Sequence, residues 1–312
     1  MSTVAIGFDE IIGRVAVDAL LEPIASAFLG PVVAPPRHHH TVAVPGKPEA
    51  TLLLMPAWTA GDALGVKVVT VHPGNAGTAI PTVNGAYLLL RAESGEFVAC
   101  LDGRALTLLR TAAVSALACR VLARAGARRL LIAGTGALAP HLARGHAAVR
   151  HLEHVAIWGR DPLKARCVAE LLAREGFPAV AAPVLEAACT DCDIVSCATM
   201  STAPLIRSTW LRAGTHVDLV GAFRPDMRET DSQLIGRGLL VVDSERAVDE
   251  AGDLAIPLRE GVIDRARIRT LAAILGAPRP AIPDLSVFKS VGTAIADLAA
   301  ARVVAARCRP SG

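Results

Sequence analysis

Arg129-Leu130-Leu131-Ile132-Ala133-Gly134-Thr135-Gly136-Ala137-Leu138-Ala139 is the stretch on which the fold of this chain turns. A short apolar run ends on a glycine, and a helix-compatible run follows. Gly134 permits a tight turn, Gly136 lets a phosphate-bearing ligand approach the backbone, and Ala139 keeps the helix close to the strand. The helix N-terminus offers amide donors and the positive end of the aligned peptide dipoles, so a diphosphate suits it. Gly-x-Gly-x-x-Ala alone is a weak signal. Set between a strand and a helix, it points to a dinucleotide.

Downstream, short apolar strands at 154–158, 179–182, 193–198, 216–220 and 239–243 alternate with helical patterns such as 138–150 and 162–175. Near-continuous apolar strands with intervening helices predict a parallel sheet covered on both faces, a Rossmann-type α/β domain. The second strand closes on Trp158-Gly159-Arg160, where an Asp or Glu would pair with the adenosine ribose hydroxyls of NAD. Arg160 there either meets a 2′-phosphate, favouring NADPH over NADH, or is a solvent-facing Arg. Thr199, Val220 and Gly221 fall at strand ends where a dinucleotide crevice opens. Thr199 is equally placed to cap a helix.

Upstream, a helix-like 11–28, a loop at 31–36 and alternating runs at 51–56, 65–70 and 86–90 read as a sheet with helical cover. His72-Pro73-Gly74-Asn75 is a turn directly after a strand. A long helical pattern over 106–124 joins this part to the next. A Pro-rich link at 278–283 precedes a helix-like 288–305 that can return to the first domain. The expected division is 1–112 for an α+β substrate-binding and dimerisation domain, 113–285 for the Rossmann-type domain, and 286–312 for the returning segment.

The chain has 312 residues, enough for two domains, and is 52% hydrophobic but only 3% aromatic. Thirty-two Lys and Arg against 29 Asp and Glu leave a net charge of +3, too small and dispersed for a nucleic-acid surface. Asp9-Glu10 interrupts any secretory-signal pattern, and the apolar segments are broken by charge, Gly or Pro before reaching bilayer-spanning length. A cytoplasmic location is expected. The seven Cys show no disulfide spacing, and Cys189, Cys192 and Cys197 lack a nearby matching pair for zinc. His38-His39-His40 cannot all face one compact tetrahedral site without a favourable loop, so no metal is assigned.

Met55-Pro56-Ala57-Trp58, Gly65-Val66-Lys67, the His72–Asn75 turn, Leu106-Thr107-Leu108-Leu109-Arg110-Thr111-Ala112-Ala113, the glycine loop and Phe288-Lys289-Ser290-Val291-Gly292 together resemble the ornithine cyclodeaminase/mu-crystallin family. Their order covers nearly the whole chain, from about residue 37 to about residue 300. The family spans cyclodeaminases, ketimine reductases, amino-acid dehydrogenases and mu-crystallins that bind hormone. The resemblance implies a homodimer joined largely through the N-terminal domain. It places Arg37, Lys67 and Arg110 on the substrate side of the nicotinamide, with Lys67 and Arg110 nearest the chemistry. Three cations suit a small carboxylate. The resemblance also puts Arg110, Thr111, Gly134, Gly136, Ala137, Leu138 and Ser290 at the cofactor. Lys289 either approaches the nicotinamide with Ser290 or simply packs.

Ornithine cyclodeaminases carry a catalytic Asp at the position held here by Phe223, and a phenyl ring accepts no proton. The segment 220–229 instead resembles that of Δ1-pyrroline-2-carboxylate reductases. Asp226, three positions on, reads better as a loop acid or helix cap. The resemblance therefore implies NAD(P)H-dependent reduction of a cyclic imino acid, Δ1-pyrroline-2-carboxylate to L-proline or its six-membered homologue to L-pipecolate, with Phe223 an apolar wall for the ring. Cyclodeamination, amino-acid dehydrogenation and nucleotide-dependent ligand binding are the alternatives. Asp297 is expected to orient the last helix or buttress the pocket.

Overall fold

The computed structural model describes residues 4–281 and 284–308. The end of the Pro-rich link and residues 309–312 of the returning segment lie outside the described residues. The chain forms two compact units, one of residues 1–110 and 293–312, the other of residues 111–292.

In the first unit β1 (Val4–Ile6) leads to α1 (Phe8–Arg14) and α2 (Leu21–Leu29), then to β2 (His38–Val42), β3 (Ala50–Thr59), β4 (Ala63–Val71), β5 (Val83–Arg91) and β6 (Phe97–Asp102). The sheet runs β1-β6-β5-β4-β3-β2, antiparallel except where β1 pairs parallel with β6. Period-2 alternation sets its inner face. Met55 and Ala57, Ala63, Gly65 and Lys67, Tyr87 and Leu89, and Ala99 and Leu101 are all buried, between more exposed neighbours. The last helix of the chain, Ala294–Cys308, packs on β3 to β6 and on α2. Because Lys67 lies in register with Met55 and Tyr87, a cation occupies an inward position that alternation reserves for an apolar side chain.

The expected helix over 11–28 is two helices. Val15 and Ala16 take extended dihedrals, and a 3-10 turn at Val17–Leu20 separates α1 from α2. The β-branched Val15 and Val17 lower helix preference just where the chain breaks. His38–Val42, with its three histidines, is an exposed edge strand.

α3 (Gly103–Leu122) runs across the division between the units. The Asp102 carboxylate accepts from the Ala105 amide at 2.7 Å, capping its start. Contrary to the expectation that every apolar stretch is interrupted, α3 is long and apolar enough to cross a membrane, but 83% of that stretch is buried within the protein. This is the pattern of a core helix.

In the second unit follow β7 (Arg129–Ala133), α4 (Ala139–Val149), β8 (His154–Trp158), α5 (Pro162–Arg174), β9 (Ala179–Ala181), α6 (Leu185–Asp191), β10 (Ile194–Cys197) and β11 (His216–Leu219). They are succeeded by α7 (Ser232–Arg237), β12 (Gly238–Val242), α8 (Ala247–Glu250), α9 (Gly252–Arg259), β13 (Ile268–Thr270), α10 (Leu271–Leu275) and β14 (Leu285–Lys289). The remaining helix, Ala294–Cys308 of the first unit, is α11.

The second sheet is wholly parallel in the order β13-β12-β14-β11-β10-β7-β8-β9, the doubly wound arrangement of a Rossmann-type fold. Both faces are buried. Leu131, Ala133, Ala156, Val195 and Val217 enter one apolar cluster, whereas Leu130, Ile132, Val155, Ile157 and Ile194 enter the other. That is why these strands read as continuous apolar runs. Cys189, Cys192 and Cys197 belong to the first cluster, and burial pushes the Cys189 and Cys192 thiols up to about 12.

The expected helix over 288–305 begins only at Ala294, because residues 285–289 form β14 between β11 and β12. A five-residue run carries no period that separates strand from helix, and its partners are distant in sequence.

Behind the sheet, Asp218 of β11 accepts from Ser115 at 3.0 Å and Ser196 at 2.6 Å, and lies 3.3 Å from His146 Nε2. Burial alone lowers the His146 imidazole, but Asp218 and Cys119 overcome it and raise the ring to about 9. The network ties α3 and α4 to the sheet.

Candidate functional site

The glycine loop lies at the switch point of the parallel sheet, where β7 stands between β8 and β10. Gly134 has φ 136, and a Cβ there would meet the Ala198 carbonyl at 2.6 Å, so only glycine fits. At Gly136 a Cβ would meet nothing within 4 Å, leaving open space above the loop. Gly136 and Ala137 are exposed and Leu138 half-buried where α4 begins. A helix N-terminus behind an open, glycine-lined approach fits a dinucleotide diphosphate.

Arg160 is exposed just beyond β8. Its neighbour Asp161 is committed elsewhere: its carboxylate accepts from the Leu163 and Lys164 amides at 3.0 and 3.3 Å and caps α5. An acid one position past Arg160 is thus used by the helix.

Thr199 and Gly221 come two residues after β10 and β11. Thr199 caps no helix. Its amide and hydroxyl donate to Glu229 Oε1 at 2.7 and 2.8 Å, while the Gly221 amide donates to Glu229 Oε2 at 2.9 Å. Val220 lies between strand and turn, its amide bonded to the Cys197 carbonyl at 2.9 Å. Sequence reasoning did not find Glu229. No local pattern announces a carboxylate whose partner is 30 positions away.

The Ser290 hydroxyl donates to Asp243 Oδ2 at 2.7 Å, and Asp243 also accepts from the Gly292 amide at 2.7 Å, fixing the turn after β14. Lys289 is fully buried and pairs with Asp253 Oδ2 at 3.4 Å, so its ammonium serves the interior of the sheet's end. Phe223 is half exposed. Asp226 stands at the surface, held by two hydrogen bonds from Arg224 at 2.9 and 2.7 Å.

In the first unit, Lys67 from β4 and Arg110 from α3 meet at Asp297 of α11. The Lys67 ammonium donates to Asp297 Oδ1 at 3.2 Å, and Arg110 Nε lies 2.9 Å from the same oxygen as an ion pair without hydrogen-bond alignment. All three are buried. Burial lowers the Lys67 ammonium to about 8; Asp297 opposes this, while the charges of Arg110 and Arg37 add to it. The structure therefore brings Arg37, Lys67 and Arg110 into one electrostatic neighbourhood. Beside them the Tyr87 phenol is pushed up by burial and by Asp297, so it stays protonated. It fits only because the ring lies across Gly65, two positions before its register partner Lys67: a Cβ at Gly65 would lie 2.1 Å from the Tyr87 oxygen. Thr111, the next residue on α3, is buried.

A Rossmann-type nucleotide site in one unit and a buried cation cluster built around one carboxylate in the other define a dinucleotide-dependent oxidoreductase. Residues 3–312 match the model of the ornithine cyclodeaminase/mu-crystallin family, and the chain belongs to that family. It is 39% identical over 270 residues to the Δ1-pyrroline-2-carboxylate reductase of Paracoccus denitrificans, covering 83% of this chain and 84% of the relative. Among solved structures it is similar to the Thermococcus litoralis Δ1-pyrroline-2-carboxylate reductase in complex with NADH and L-proline. The TM-score is 0.90 at 30% identity, covering 98% of this chain and 97% of that one. An archaeal alanine dehydrogenase dimer with bound NAD superposes with a TM-score of 0.89 at 26% identity, covering 98% and 96% of the two chains.

Proposed function

We propose that this protein reduces the C=N bond of Δ1-pyrroline-2-carboxylate to give L-proline, using NAD(P)H, and takes Δ1-piperideine-2-carboxylate to L-pipecolate in the same way. The carrying observation is the charge balance around Asp297. Lys67 and Arg110, the two cations paired with it, exceed it by one positive charge in a buried setting, and Arg37 adds to the positive field, which suits the carboxylate of an imino acid. The relatives named above support the reaction.

Bound NAD(P)H supplies the hydride to the imine carbon. The chain's own residues hold and orient. Arg110, with Arg37, grips the substrate carboxylate, and a guanidinium can engage both oxygens. Lys67 stands nearest the reacting nitrogen; with its ammonium lowered to about 8, Nζ can hold a proton or pass one through water near neutral pH. Asp297 keeps Lys67 and Arg110 in place, and Phe223 supplies an apolar wall to the ring. Gly134, Gly136, Ala137 and Leu138 with the start of α4 hold the diphosphate, and Thr111, Thr199, Val220, Gly221 and Ser290 shape the rest of the cofactor site. Arg160 favours NADPH through the 2′-phosphate.

In this reading the first unit, residues 1–110 and 293–312, is the substrate-binding and dimerisation domain, and the second, residues 111–292, is the cofactor domain; the expected boundary at 285/286 falls instead after β14, which belongs to the parallel sheet. The protein works as a homodimer in the cytoplasm.

The deciding experiment incubates purified protein with Δ1-pyrroline-2-carboxylate and NADPH or NADH, beside L-ornithine with NAD+ monitored for ammonia. Stoichiometric cofactor oxidation with proline formation is expected. Ammonia release without reduction of the cyclic imine overturns the reading in favour of cyclodeamination. Parallel titrations with the two cofactors, repeated on Arg160→Ala, test the preference for NADPH.

A further inference from the structure

We propose that Glu229 is the positioning residue of the cofactor crevice, a buried carboxylate that joins the turns after β10 and β11 and so sets dinucleotide affinity. The inference rests on the reading above that these strand ends receive the cofactor.

Glu229 is fully buried, and its two oxygens serve two separate turns. Oε1 accepts from the amide and hydroxyl of Thr199 at 2.7 and 2.8 Å. Oε2 accepts from the amides of Gly221 and Ala222 at 2.9 and 3.4 Å. Four donors on one carboxylate offset the cost of removing it from water. The turns are also pressed together. A Cβ at Gly221 would lie 2.0 Å from the Thr199 carbonyl and 2.6 Å from Glu229 Oε1, so the approach requires glycine. A second layer fixes Glu229 itself. Asp253 Oδ1 accepts from the Glu229 and Thr230 amides at 2.7 and 3.0 Å and from the Thr230 hydroxyl at 3.2 Å, while Asp253 Oδ2 pairs with Lys289 at 3.4 Å. Nothing in the proposed chemistry uses Glu229, Asp253 or Lys289, yet all three are charged side chains with no more than 1% exposure. A hydrophobic interior would hold the sheet without them. They join the two turns that a dinucleotide must find correctly spaced.

The groups that face Glu229 are Asp253 on α9, Lys289 on β14 and the Cys197 thiol on β10, itself raised by burial and by Glu229. Burial pushes the Glu229 carboxyl up to about 7; Lys289 opposes the rise, Asp253 adds to it and the Thr199 hydrogen bonds oppose it. Protonation removes the charge that strengthens all four hydrogen bonds, and a proton on Oε2 faces only the N–H groups of Gly221 and Ala222, which loosens the turn after β11. Cofactor affinity should therefore fall as pH drops through this range.

The test measures the dissociation constant of NADH with the full-length protein and with Glu229→Gln. NADH lacks the 2′-phosphate, whose own titration would overlap. From about pH 8 to about pH 6 the wild-type dissociation constant should rise about tenfold as charge-assisted hydrogen bonds are lost. At about pH 8 the Gln variant should bind at least about tenfold more weakly, and its profile should be flat, since an amide does not titrate. A purely structural role would lower thermal stability without removing the pH dependence. Wild-type affinity constant within about twofold over this range, or a Gln variant that keeps both affinity and slope, overturns the proposal. If the variant does not fold, the wild-type profile alone decides. Wild type that binds no NADH at any pH removes the cofactor reading itself, and the proposal with it.

Discussion

The Lys67 ammonium and the Asp297 carboxylate, 230 positions apart in sequence, form a buried hydrogen-bonded ion pair at 3.2 Å, and Arg110 lies against the same carboxylate oxygen. Removing one partner of such a pair leaves an uncompensated charge, which is costlier than never having built it. Asp297 therefore controls Lys67 as well as the placement of α11. Since Asp297 opposes the lowering of Lys67 to about 8, Asp297→Asn should move the Lys67 titration to lower pH.

If the Lys67 ammonium is the working form, kcat/KM for Δ1-pyrroline-2-carboxylate falls as pH rises through about 8. Asp297→Asn should shift that limb downward, and Lys67→Arg should abolish it within the measurable range, because a guanidinium stays charged. A limb that persists unchanged in Lys67→Arg belongs to the substrate imine and refutes the assignment.

Arg110→Lys keeps the charge and loses the planar fork. We expect KM for the imino acid to rise about tenfold or more, from loss of bidentate contact with the carboxylate. NADPH binding, measured separately, should change less. An effect confined to NADPH binding would move Arg110 from the substrate to the cofactor.

The two loop glycines should separate stability from binding. Gly134→Ala places a methyl 2.6 Å from the Ala198 carbonyl at φ 136 and should destabilise the protein by about 2 kcal/mol or more. Gly136→Ala meets open space and should leave the thermal midpoint nearly unchanged, while weakening dinucleotide binding by about tenfold or more because the backbone can no longer approach the diphosphate. Full cofactor affinity in Gly136→Ala would place the diphosphate elsewhere.

His146, raised to about 9 against an ordinary 6.5, binds its proton more tightly folded than unfolded. The sign follows: the stabilisation is complete below about pH 6.5 and is lost as pH rises through about 9, with a full magnitude on the order of 3 kcal/mol. Thermal melts from neutral to alkaline pH should show wild type losing more stability than His146→Gln. Parallel curves for the two proteins would mean that His146 is neutral in the fold.

The sequence by itself determined the nucleotide end of this protein, because its signals are local. The strand-glycine-helix order at 129–139 needs no distant residue to be read, and strands buried on both faces declare themselves as apolar runs. The candidate cations Arg37, Lys67 and Arg110 were also legible, through motifs spread along the chain that resemble one family. Tertiary structure alone decided what those cations touch. Asp297 reaches Lys67 because α11 returns to the first sheet after the whole second unit has been threaded, and Glu229 joins two turns that neither sequence spacing nor residue type marks. The same limit explains β14, whose place inside the sheet depends on pairing with β11 and β12, and the broken helix at 15–16. Period and propensity describe neighbours along the chain. A buried carboxylate is specified by the donors that converge on it from elsewhere, and only folding brings those together.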